Sequence, residues 1–84
     1  MPRVNLGRDP EHGKAEYRRR LIDGKAHFRG YETQKALELA LGKEPGYLSR
    51  RYKGRAEWSA DDYLALDNVL QFDADELASL VRGR

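Results

Sequence analysis

The side chains best suited to chemistry in this chain are cations gathered near its middle: Lys43, Arg50, Arg51, Lys53 and Arg55, with Glu44 and Ser49 among them. Guanidinium and ammonium groups contact phosphates, and an arginine can also hold two acceptors of one planar group at once. Other chemistries lack their parts. The chain has no cysteine, hence no disulfide, no thiolate metal ligand and no thiol nucleophile. His12 and His27 have no acidic or cysteine partner at ligand spacing, so no metal site is expected. Without a carboxylate–histidine cluster or a phosphate loop, the chain reads as a non-enzyme that needs no cofactor and no small-molecule ligand.

The elements that must position these cations are legible around them. Leu37 and Leu41 stand i, i+4 apart, on one face of a helix, and Leu48 and Tyr52 repeat the spacing further on. Thr33 is placed to cap the first of these helices, and Gly42 to end it in a left-handed conformation. Pro45 falls where a second helix would place its first residue, which makes Glu44 the expected N-cap. Residues 33–54 therefore read as two helices joined by a tight turn, the second spanning about 45–53.

Eighty-four residues suit a single small domain around one core. Charged residues are 36% of the chain and the mean hydropathy is −0.88, so much of it is surface. No apolar run approaches the roughly 18 residues of a membrane span, and residues 1–20 lack the apolar stretch of a signal peptide. A cytoplasmic protein is expected. The net charge of +2 is unevenly spread. Residues 1–30 carry +4 and residues 31–56 carry +3, whereas residues 57–84 carry −5. A basic front and an acidic back suit a protein that turns one face to a polyanion.

Toward the N-terminus, residues 1–8 have no sustained period, and the remaining residues, 9–84, form the domain. Asp9-Pro10-Glu11 resembles a cap, a first-position proline and a first-turn acid, so a helix should run from about residue 10 or 14 to about 26. Tyr17 and Leu21 form its apolar pair, with Ala26 or Phe28 beyond, and Gly13 and Gly24 weaken it. Arg18, Arg19 and Arg20 point in three directions around such a helix. Phe28 and Tyr31 are expected in the core or packed between helices, not as stacking platforms. Toward the C-terminus, Ser59 with Asp62 and Asp73 with Glu76 are two capping boxes, each opening a helix. Ala60, Tyr63, Leu66 and Leu70 mark the inner stripe of one, and Leu77 belongs to the other. Trp58 is expected to pack over the core. Leu64, Val69, Leu80 and Val81 fall partly outside the stripe and are candidates for a contact between two copies.

The run Thr33-Gln34, Leu37, Leu41-Gly42, Tyr47-Leu48-Ser49-Arg50 and Gly54 resembles the lambda-repressor/Cro-like (Xre-type) DNA-binding domains. The likeness extends through Ser59, Tyr63, Leu66, Leu70 and Asp73 to Leu77, covering about residues 33–80. It implies an all-α, five-helix domain whose second helix of the pair enters the major groove of a double-stranded operator. On that likeness Glu44, Gly46, Ser49 and Arg50 face the bases, with Arg50 suited to a guanine. Gln34, Lys43, Lys53 and Arg55 would hold phosphates. Tyr47 would sit at the rim. Residues 1–8 would be an unstructured end or an arm in which Arg3 and Arg8 reach DNA. The implied function is that of a small repressor or Cro-like regulator, such as a phage encodes, acting as a homodimer through its C-terminal helices. The alternative is a protein-interaction module on the same fold: an antirepressor, an antitoxin or a host-takeover factor.

Two residues depart from the family pattern. Glu38 stands where the family has a small residue, and Arg51 where it has a buried aliphatic one. An unpaired buried charge is strongly disfavoured, so the expectation is a Glu38–Arg51 ion pair across the helix crossing, the alternative being that both side chains reach out to solvent.

Overall fold

The computed structural model describes residues 10–84. The arm with Arg3 and Arg8, and the Asp9 cap, lie outside the described residues. Five helices follow one another: α1 (Pro10–Phe28), α2 (Gln34–Leu41), α3 (Tyr47–Tyr52), α4 (Ala60–Leu70) and α5 (Ala74–Arg82). The described part of the chain is all-α, and no helix in it is long and apolar enough to cross a membrane.

Local chemistry sets most of the helix ends. The Thr33 hydroxyl accepts the Ala36 N–H at 3.0 Å and so caps α2. At the other end Gly42 has φ 74°. The Gly42 and Lys43 N–H groups there reach back to the carbonyls of Leu39 and Glu38, each at 3.0 Å. Both capping boxes form, Ser59 with Asp62 opening α4 and Asp73 with Glu76 opening α5.

The core joins all five helices. Ile22 and Ala26 come from α1, Leu37 from α2, Tyr47 and Leu48 from α3, Leu66 and Leu70 from α4, and Leu80 from α5. Fully burying an aliphatic side chain contributes about 1.5–3 kcal/mol. Leu21, Tyr31, Leu41, Tyr52, Trp58, Tyr63, Val69 and Leu77 pack around this centre, as the sequence led us to expect for most of them. Trp58 stacks on Tyr63, with ring planes 9° apart and centroids at 5.9 Å.

Several core expectations need correction. The buried pair of α1 is Ile22–Ala26, one residue out of phase with Tyr17–Leu21. Phe28 is 74% exposed, because the Tyr31 N–H turns back to the Ala26 carbonyl at 2.8 Å and α1 leaves the core at Ala26. Ala60 is exposed and Leu80 is fully buried, which removes Leu80 from any contact surface.

The phase of α1 also gives its arginines structural tasks. Arg18, one turn before Ile22, donates to the carbonyls of Leu80 (2.9 Å) and Val81 (2.7 Å) at the end of α5. Arg29 donates to those of Leu70 (2.8 Å) and Gln71 (3.1 Å) at the end of α4. Each places a cation at the negative pole of a helix. Lys25 bridges to Glu76 at 2.8 Å, tying α1 to the start of α5. Arg19 pairs with Glu16 and Asp23 along α1 itself, and the more exposed Arg20 lies 3.5 Å from the same Glu16 carboxylate.

Candidate functional site

Helix α3 carries Ser49, Arg50 and Arg51 and delivers Lys53 and Arg55, yet it has only six residues. A helix this short does not hold its shape alone in water. Its N-cap is Gly46 at φ 91°, so the cap position offers no side-chain acceptor. This corrects the expected start: Pro45 lies in the turn, whose Tyr47 N–H closes onto the Glu44 carbonyl at 3.1 Å, and Glu44 is not the cap.

The missing acceptor is supplied from α2. Glu38 is 3% exposed. Its two carboxylate oxygens accept the N–H groups of Gly46 (3.2 Å) and Leu48 (2.8 Å) at the beginning of α3. A buried carboxylate is tolerable when hydrogen-bonded in this way, and it stands at the positive pole of the helix. The far end of α3 closes by backbone alone. Gly54 adopts φ 77°. Its N–H reaches the Arg51 carbonyl at 3.2 Å, and the Arg55 N–H reaches that of Arg50 at 2.7 Å.

A second carboxylate holds α3 from the side of α4. Asp62, 4% exposed, is the last member of the Ser59 capping box. One of its oxygens accepts the Tyr47 hydroxyl. The other accepts the Arg51 Nε–H at 2.9 Å and the Ser59 N–H at 2.8 Å. Arg51 also donates to the Tyr47 carbonyl at 3.1 Å and stacks 4.0 Å over the centre of the Tyr47 ring. Burial pushes the Asp62 carboxyl up, but these donors outweigh it and hold the group below the usual carboxylate range. Burial and the adjacent carboxylate push the Tyr47 phenol upward, so it remains the donor.

The expected Glu38–Arg51 pair is therefore corrected. Both groups are compensated, but by different partners, because Glu38 points along the start of α3 and Arg51 points across to α4. Tyr47 is corrected with them: it is 3% exposed and part of the core, not the rim. Asp62 was read from sequence only as a cap. The available signal was the i, i+4 spacing of Tyr47 and Arg51, which puts both on the face of α3 that meets α4.

What remains outward is the opposite side. Ser49 and Arg50 are partly exposed, and Gln34, Lys43, Glu44, Lys53 and Arg55 are exposed. Glu44 and Arg50 form a direct ion pair, with side chains 61% and 42% exposed. The backbone N–H of Glu44 itself, together with Arg50, holds the Glu44 carboxyl below its ordinary range. Lys43 lies 5.3 Å from the Tyr47 ring centre. Ser49 and Lys53 share a helical face at i, i+4 spacing. Gln34 is the exposed first residue of α2.

Comparison with protein-family models, curated proteins and solved structures finds no match. Chemically, the outward side offers donors and one carboxylate on a short helix held firmly from behind. Such a surface can bind phosphate oxygens and present a guanidinium to a planar acceptor group.

Proposed function

We propose that this protein is a sequence-specific double-stranded DNA-binding regulator, a repressor or Cro-like protein acting in the cytoplasm. Helix α3 would lie in the major groove. The observation that carries the reading is the support behind α3. Glu38 and Asp62 hold a helix too short to stand alone, while Ser49 and Arg50 stay partly exposed and Lys53 exposed. A rigid helix that presents Ser49, Arg50 and Lys53 outward is what base readout requires. The charge distribution agrees, since residues 1–56 are basic and residues 57–84 are acidic.

Arg50 would read a guanine, and Ser49 either base type or a phosphate. Gln34, Lys43, Lys53 and Arg55 would hold the backbone. Two copies on a two-fold operator fit the same reading, with Leu64 (59% exposed) and Val81 (48% exposed) available between them.

The second reading is a protein-interaction module on this fold. It is favoured by Leu39, which is 79% exposed on α2 beside the turn, and by the small number of base-facing side chains. One comparison separates the two. Arg50→Ala should lose sequence preference, by a factor of about 5–150 for a bidentate contact worth about 1–3 kcal/mol. Lys53→Ala should weaken binding to every sequence alike. Equal effects of both changes on selected and random duplexes would overturn the assignment, and no DNA binding at low salt would favour the interaction module.

A further inference from the structure

The Glu44–Arg50 ion pair has no structural duty comparable to those of Glu38 and Asp62. Both side chains are substantially exposed, and a pair of this kind adds little to stability. Its geometry is nevertheless specific. Long side chains on a helix lean toward its N-terminus, and Arg50 leans back over residue 46, one turn earlier. A Cβ at Gly46 would stand 3.3 Å from the Arg50 Nη1. With glycine there, the guanidinium passes close over the backbone and Nη2 meets the Glu44 carboxylate on the far side of the turn. Residues 44, 46 and 50 thus share one arrangement: a carboxylate, an open passage and a guanidinium lying in it.

We propose that Glu44 is a positioning residue for Arg50, holding its guanidinium over the start of α3 so that it meets the edge of a guanine in place of a phosphate. The proposal rests on the DNA-binding reading above. Two physical effects support it. Fixing a flexible arginine before docking lowers the ordering cost that each docking would otherwise carry. The carboxylate also offsets the charge of Arg50 and repels phosphate oxygens, so indiscriminate backbone contacts are weakened. Guanine still presents two neutral acceptors, O6 and N7, at the spacing an arginine can bridge. Glu44 therefore acts on the ratio between chosen and random sequences.

The test uses the full chain, a duplex selected by the wild type from a random pool, and a random duplex. Wild type, Glu44→Ala, Glu44→Gln, Arg50→Ala and the Glu44→Ala/Arg50→Ala double variant are compared. Glu57→Ala, at an exposed position outside this face, controls for the loss of one negative charge. Glu44→Ala should bind random duplex several-fold more tightly. Its log–log salt slope on that duplex should steepen by about 0.9, the value for one added phosphate contact. Its preference for a G·C pair at the position read by Arg50 should fall about tenfold, with Glu44→Gln between it and wild type. In the Arg50→Ala background the Glu44 change should leave base preference where it was. Glu57→Ala should move selected and random binding together. A Glu44→Ala variant that retains the wild-type preference, or behaves as Glu57→Ala does, overturns this proposal while the DNA-binding reading stands. A wild type with no DNA binding at low salt overturns both.

Discussion

Replacing Glu38 tests the support of α3 most sharply. In Glu38→Ala the N–H groups of Gly46 and Leu48 lose both acceptors at a site that is 3% exposed. A buried donor left unsatisfied costs about 1–3 kcal/mol, so the loss should be about 2–6 kcal/mol. A domain of this length has a total stability of about 4–13 kcal/mol. At roughly 4–8 °C per kcal/mol for a domain of this size, the melting temperature should fall by at least about 8 °C. Glu38→Gln keeps the shape and one acceptor but turns an amide N–H₂ toward the second donor. It should lose about 1–3 kcal/mol, less than the alanine variant. Glu32→Ala, at an exposed position, should stay within about 0.5 kcal/mol of wild type. The assay is thermal and urea unfolding followed by circular dichroism at 222 nm. If Glu38→Ala and Glu38→Gln both melt within about 2 °C of wild type, Glu38 does not hold α3 in solution and the reasoning fails.

Asp62 makes stability acid-sensitive. Its folded pKa is depressed below the ordinary value of 3.8, so its contribution is fully present above that value and is lost as pH falls through the lower folded one. Urea titrations at pH 6, 4 and 2.5 should show this loss in wild type, and Asp62→Asn should be less stable at pH 6 and flatter below pH 4. An unchanged slope in the variant would contradict the assignment. Gly24 lies inside α1 with nothing within 4 Å of the position its Cβ would take. Gly24→Ala should therefore stabilise by about 0.8–1 kcal/mol, read as a raised melting temperature. A lower one would mean that α1 bends or is contacted there.

Features that depend on a few neighbouring residues were legible in the chain itself. The Thr33 cap, the left-handed Gly42, and the boxes at Ser59–Asp62 and Asp73–Glu76 each need only three or four residues and a side chain of the right length. Tertiary partners were less so. Glu38 and Arg51 were recognised as charges requiring compensation, but which group compensates each depends on how α2 and α4 flank α3. The phase of α1 was missed by one residue because Leu21 and Ile22 are both apolar, and only packing in the assembled core distinguishes them. Phe28 was misplaced because apolar character does not reveal that the chain turns away after Ala26. For the outward face, sequence named Arg50 and Glu44 separately, and only the side-chain geometry joins them over Gly46.

The central claim, that α3 presents a DNA-reading face, is tested most directly by the salt dependence of binding to a selected duplex and to a random one. The account predicts affinity for both that falls steeply and linearly in log–log form as salt rises. It also predicts a preference for the selected duplex of about 10³-fold or more at physiological salt. Absence of binding at low salt, or equal affinity for the two duplexes across the range, would contradict it.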